Sequence, residues 1–324
     1  MSNKILYFSD TDLGSTLQSL LSNALKPNTH RTYSNAQNRY LNFCTIYDRV
    51  ACPSSEETLL FFISYLFKDG LKGSSIRVYL SGVRNLHINS GVTYIGNTQR
   101  MLMALKGANV LSSPPTRKEP ITFVILSGML DLLKGRSDCL LLRAAMTLAF
   151  FGCLRAGEFC LGDMEVFDPK IHLCLADVTM LAKGSFSLLL KVSKTDKLSN
   201  GVTVYVGCSG DSVCSACAMK EFLQTRCLNK AKAPLLADSY GNVLRRSYFV
   251  STTKLLVSML GLPPGNYSGH SYRAGAATSG AEAGFDNWEL KMLGRWNSEA
   301  YNIYLINPQI VSSFASRLVD HSVK

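Results

Sequence analysis

Residues 270–284 read His270-Ser271-Tyr272-Arg273-Ala274-Gly275-Ala276-Ala277-Thr278-Ser279-Gly280-Ala281-Glu282-Ala283-Gly284. A histidine and an arginine three positions apart open a helix-like run of small residues. Two other polar islands accompany it. Upstream, Gly152-Cys153-Leu154-Arg155-Ala156-Gly157-Glu158 closes an apolar helical segment. Downstream, Leu293-Gly294-Arg295-Trp296 precedes Tyr301 and Tyr304. Two arginines and a histidine suit a phosphate, because guanidinium forks match its oxygens and stabilise charge developing on them. A tyrosine is a competent oxygen nucleophile beside a cationic site, and a lysine can protonate a departing alkoxide. No acidic cluster of two-metal type and no P-loop is evident. Each island also has a plainer reading: Arg155 pairing with Glu158, His270 capping a helix, Tyr304 packed in a core.

Around these islands the pattern is mixed. Helical segments are expected near Phe123–Leu133 and Cys139–Phe151. Short β-like runs follow at Ala176–Met180, Phe186–Val192 and Val202–Val206, the last two joined by a polar turn, Lys194–Gly201. Helical patterns return after residue 212, broken at Gly261–Gly269. Residues 111–120 (LSSPPTRKEP) hold three prolines and read as a linker. Before it everything reads as helix. Asn28–Val50 carries Tyr33, Tyr40, Phe43 and Tyr47 as an apolar stripe. Ser54-Ser55-Glu56-Glu57 reads as a capping box, and Ser74-Ser75 as the start of a helix with Arg77 and Arg84 on one side. The expected fold class is mainly α with a small antiparallel sheet. Its domains are a helical unit over 1–110, the linker 111–120, and a larger unit over 121–324.

The 324 residues carry 34 Lys and Arg against 23 Asp and Glu, a formal net charge of +11. That excess calls for a polyanionic partner. Residues 1–118 alone hold 13 Lys and Arg against 6 Asp and Glu, so the smaller unit is the more basic. Arg143 and Arg155 interrupt the longest apolar stretches, which argues against membrane insertion. The start MSNKILYFSDTD lacks the apolar core of a signal peptide. The 10 cysteines therefore read chiefly as free thiols. Cys208, Cys214, Cys217 and Cys227 form the one tight cluster, but with a single C-x-x-C pair zinc is the lesser reading.

The ordered set of islands resembles the tyrosine recombinase (phage-integrase-like) family. The family's G-L-R-x-x-E box is matched by Gly152 to Glu158 with Cys153 inserted. Its H-x-x-R box is matched by His270 and Arg273 with the small run Ala274–Ala277, and its L-G-H-x8-Y box by Leu293, Gly294 and Tyr304. The wording is similar to recombinases of eukaryotic mobile elements, the DIRS-like retrotransposons and Cryptons. The helical first part, with its phrase YLSGVRNLH, looks like the family's core-binding (SAM-like) domain.

This resemblance implies site-specific DNA cleavage and rejoining through a covalent 3′-phosphotyrosyl intermediate, for integration or excision of a mobile element, with no metal and no cofactor. Tyr304 would attack the phosphate, with Tyr301 its competitor. Arg155 and Arg273 would hold the phosphate oxygens, with His270 beside them and Glu158 in support. Lys194 would be the family's hairpin lysine, ahead of Lys197 and Lys191. The position after Leu-Gly is open: spacing favours Arg295, precedent in the family favours Trp296.

The expected partner is double-stranded DNA held between both domains. Arg77 and Arg84 would contact it from the first, Arg117 and Lys118 from the linker. Self-association into dimers or tetramers on DNA is implied, with the amphipathic end (Ile310, Phe314, Leu318) a candidate docking segment. The location follows the lineage: nucleus for a eukaryotic element, otherwise cytoplasm. The competing readings are a type IB topoisomerase-like enzyme and a domesticated, non-catalytic DNA-binding protein.

Overall fold

The computed structural model describes residues 11–114, 117–193, 200–226 and 230–296. Contacts divide the chain into two units, Met1–Pro115 and Thr116–Lys324. None of the described helices is long and apolar enough to cross a membrane.

The first unit is helical: α1 (Thr11–Asn23), α2 (Pro27–Ile46), α3 (Glu56–Lys68), α4 (Gly73–Asn89) and α5 (Gln99–Leu111). Helix α2 starts on Pro27, where a missing backbone N–H costs nothing. Its stripe supplies Tyr40 and Phe43, whose rings stand 5.0 and 5.2 Å from that of Phe62 on α3. Gly82 lets α4 approach α2: a Cβ there would lie 2.6 Å from that of Ala36.

Two helix starts differ from the expectation. Ser55 caps α3 by accepting from the Thr58 N–H at 3.1 Å, and no capping box forms, because Thr58 stands where the box needs Glu or Gln. Ser54 is instead buried against His87, whose Nε2 accepts from the Ser54 N–H at 3.0 Å while Nδ1–H donates to the Val83 carbonyl at 2.8 Å. Helix α4 begins at Gly73, ahead of the two serines, after Lys72 and without a side-chain cap. Arg77 and Arg84, both exposed, line one hollow with Leu80, Ser81 and Tyr94.

The second unit comprises α6 (Phe123–Leu132), α7 (Cys139–Phe151), α8 (Ala156–Phe159), β1 (Val178–Met180), β2 (Phe186–Leu190), β3 (Val202–Val206), α9 (Ser215–Thr225), α10 (Arg246–Met259), α11 (His270–Glu282) and α12 (Asn287–Gly294). The strands form one antiparallel sheet in the order β1-β2-β3, with Leu188 opposite Val204 and Phe186 opposite Val206. Phe186, Leu188 and Leu190 alternate inward on β2, so one face of the sheet is buried. Helix α7 is apolar apart from Arg143 and Thr147 and correspondingly central, buried from Leu141 to Phe150 except at Arg143. It packs against α6, α9 and α11.

Helix α11 is buried along most of its length, and its small residues allow that. A Cβ on Gly275 would stand 1.7 Å from the Ile121 carbonyl oxygen, so the segment leading into α6 lies directly on this helix. Ile121 N–H donates to the Ser271 carbonyl at 2.9 Å, and the Tyr267 hydroxyl donates to Glu119 at 3.0 Å. Residues 117–121 are therefore seated on the second unit, and the expected linker over 111–120 is shorter at both ends, since α5 also runs to Leu111.

Candidate active site

Helix α7 ends at Gly152, and the chain turns sharply through Cys153, which has a left-handed φ of 45°. Cys153 and Leu154 close that turn with N–H bonds of 3.0 Å to the Phe150 and Ala149 carbonyls. Leu154 drops into the core, and Arg155 emerges as the residue before α8. One helical turn on, Glu158 is fixed by several donors. It accepts from the Arg155 backbone N–H at 2.9 Å, Arg155 Nη1 at 2.8 Å, Arg295 Nη2 at 3.1 Å and Ser193 Oγ at 3.2 Å. Its side chain keeps 5% exposure, against 20% for Arg155 and 13% for Arg295.

Arg273 projects from the first turn of α11 and is 2% exposed. Its Nη1 donates to the Cys153 carbonyl at 2.6 Å, its Nη2 donates to the Gly294 carbonyl, and its guanidinium lies 4.5 Å from the Trp296 ring centre. Arg295 takes a left-handed φ of 52° at the end of α12, which turns it back toward Gly152 and Cys153. Its Nη1 donates to the Gly152 carbonyl at 3.1 Å and its Nη2 to the Cys153 carbonyl at 3.2 Å. Trp296 folds over Gly294, where a Cβ would stand 1.8 Å from its ring. Burial lowers the pKa of Arg273 and of Arg295, with Arg155 adding to the shift in each, yet guanidinium stays charged at any ordinary pH. Two arginines thus bond one carboxylate, with Arg273 held beside them on the Cys153 and Gly294 carbonyls, an arrangement with spare positive charge for an anion.

His270 is the first residue of α11 and is exposed. Gly269 before it approaches Ala156, the residue after Arg155: a Cβ at Gly269 would be 2.8 Å from that of Ala156. The first two islands therefore meet at their backbones. The third joins them through Arg273, Arg295 and Glu158. Lys191 lies elsewhere, its Nζ donating to Asp177 and to the carbonyls of Pro169 at 2.9 Å and His172 at 3.1 Å. Burial opposes its charge, but the bonds and the attraction of Asp177 and Cys174 together more than offset it and raise its pKa. Lys194, Lys197, Tyr301, Tyr304 and the segment with Ile310, Phe314 and Leu318 lie outside the described residues. Arg117 is exposed, whereas Lys118 Nζ donates to the Gly265 carbonyl at 2.5 Å.

Two site neighbours have no motif signal. Ser193, bonded to Glu158, directly precedes Lys194, so the chain enters the hairpin turn from the site. Arg246, at the start of α10, reaches over Gly157, its Nη2 2.6 Å from where a Cβ would stand.

This architecture has known counterparts. No protein-family model matches the chain. A curated relative, an integrase/recombinase XerD homolog of Selenomonas ruminantium, is 23% identical over 286 residues, spanning 84% of this chain and 79% of that protein. Among solved structures, the XerH site-specific recombinase in a pre-cleavage complex with its difH substrate aligns with a TM-score of 0.57 and 16% identity, covering 88% of this chain and 78% of that one. The Tn1549 transposon integrase with circular intermediate DNA gives 0.59 and 12%, covering 94% and 97%. A lambda integrase dimer on a COC′ core site gives 0.55 and 18%, covering 90% and 93%. The fold is that of the tyrosine recombinases and integrases. The curated relative supports that same class from the side of sequence.

Proposed function

We propose that the protein is a DNA-cleaving and rejoining tyrosine recombinase. The observation that carries this reading is the convergence of Arg155, Arg273 and Arg295 on Glu158 and the turn at Cys153, in a fold shared with DNA-bound recombinases. Arg155 and Arg273 bind the non-bridging oxygens of the scissile phosphate. Arg295 and Glu158 hold that pair in position, and the Trp296 ring braces Arg273 from behind. The Tyr304 hydroxyl gives up its proton and its oxygen bonds to phosphorus as the bond from phosphorus to the 5′ oxygen breaks, that proton balancing the one taken up by the leaving oxygen. Lys194 gives its proton to the departing oxygen, and His270 hydrogen-bonds the phosphate from the start of α11. The product is a 3′-phosphotyrosyl bond and a free 5′-hydroxyl. Attack by another 5′-hydroxyl reverses the step, so the bond energy is kept and no ATP is needed.

The named neighbours are recombinases and integrases, one of them a dimer on DNA, which favours exchange between duplexes by assembled protomers over relaxation of one duplex. The transposon integrase among them supports a mobile-element role, and a eukaryotic element of the DIRS-like or Crypton kind, which the sequence resembles, would place that role in the nucleus.

The test is a nicked suicide duplex that traps the covalent species. The intact protein should form a protein–DNA adduct, and Tyr304→Phe should lose it while Tyr301→Phe keeps it. Arg273→Ala should slow adduct formation by at least about a hundredfold, the scale of losing one donor to a developing oxyanion. No adduct from the intact protein would defeat the reading in favour of a non-catalytic DNA-binding protein.

A further inference from the structure

Strand β3 ends at Val206, and Cys208 follows two residues later. Cys214 is the residue before α9, and Cys217 lies in that helix's first turn. These distant-looking thiols converge. Cys208 Sγ stands 3.8 Å from Cys217 Sγ and 3.7 Å from Cys214 Sγ, and all three sulfurs lie within 4.8 Å of one another. A tetrahedral zinc ion with bonds of about 2.3 Å sets its sulfurs about 3.8 Å apart. A disulfide would draw two sulfurs to about 2 Å and leave the third with no reason to be there.

The surroundings favour thiolates. The Cys217 backbone N–H donates to Cys214 Sγ at 3.4 Å, and the N-terminal end of α9 adds the positive end of its dipole. Cys214 is buried, whereas Cys208 is exposed, so the site has a fixed base and an accessible side for entry of an ion.

We infer that Cys208, Cys214 and Cys217 form a zinc-binding site that ties the end of β3 to the start of α9. Three sulfurs occupy three corners of the tetrahedron, and water takes the fourth. Cys227 lies outside the described residues, and the site does not depend on it. The role is structural: α9 packs on α7, and the end of α7 presents Arg155. Zinc here stiffens the support of the arginine cluster without touching DNA.

The experiment uses the full chain, purified without a histidine tag under a non-chelating reductant. Metal analysis should find one zinc per chain. After stripping, cobalt(II) should give the sulfur-to-metal charge-transfer band and the visible bands of a tetrahedral thiolate site, and excess zinc should bleach both. Cys208→Ser, a change at an exposed position, should fold normally. Its zinc affinity should fall by more than the roughly 10–100-fold caused by losing an outer-shell partner. Melting temperature should drop on stripping and recover with zinc in the intact protein, with no such response in Cys208→Ser. A chain that purifies without zinc and gives no charge-transfer band overturns the proposal, as does zinc binding unchanged by Cys208→Ser.

Discussion

Glu158 is the residue on which the arginine cluster balances. It is nearly buried, and two guanidiniums, one backbone N–H and one hydroxyl converge on it. Glu158→Gln keeps the shape and removes the charge, leaving Arg155 and Arg295 close together without their counter-ion. Breaking a buried pair on one side costs about 3–5 kcal/mol, and the melting temperature should fall accordingly. Inorganic phosphate should then restore more of the loss in the variant than it adds to the intact protein, because the anion takes the place of the missing carboxylate. Equal phosphate effects in both proteins would count against an anion site here. The sequence already shows Arg155 three residues before Glu158, with their pairing as the plain reading. The structure makes that pair part of the site itself, because Arg295 joins the same carboxylate. That role depends on the left-handed turn at Arg295, which its neighbours in sequence do not announce. The alternative between Arg295 and Trp296 also changes character, since one side chain bonds Glu158 and the other lies against Arg273.

Among the elements, α11 has the least forgiving fit. Its run of alanines and glycines reads in sequence only as helix-like, and its lack of a single apolar face gives no hint of which side is buried. The structure supplies the reason: the Ile121 backbone lies on Gly275, and Gly269 touches Ala156. Gly275→Ala should therefore destabilise the second unit by more than 1 kcal/mol, about the low end of overpacking costs, despite alanine's higher helix propensity. Chemical denaturation measures this, and a stabilised variant would refute the close approach. Elements with an apolar stripe or a long apolar run, such as α2, α6 and α7, are legible in advance. Starts set by tertiary partners are not: Ser54 leaves the expected capping box because His87 takes it into the core. The thiol cluster is half legible for a similar reason. Cys208, Cys214 and Cys217 stand together in the sequence, but only the turn from the end of β3 into α9 brings their three sulfurs within 4.8 Å of one another.

For the whole molecule, the excess of positive charge lies in both units. The second unit concentrates a few arginines on one point, while the first carries Arg77 and Arg84 exposed around a single hollow. If these two contact DNA phosphates, each contributes about 0.9 to the slope of log affinity against log salt. The Arg77→Ala, Arg84→Ala double variant should then lower that slope by about 2, read by fluorescence anisotropy across a salt series. An unchanged slope would remove both from the interface. The division into two units is readable from the prolines, and a polyanionic partner is the reading that the charge offers. The anchoring of residues 117–121 on the second unit is not, because Glu119 and Lys118 find their partners near residue 265, far along the chain.

An arginine cluster that presents a phosphate to one tyrosine fixes where the covalent bond forms, and that bond can be located. Adduct trapped on a suicide duplex is digested with nuclease and protease, and the nucleotide-bearing peptide is sequenced by mass spectrometry. The expected product is a nucleotide attached through its 3′ phosphate to Tyr304. Attachment at Tyr301, or to any other residue, would contradict it.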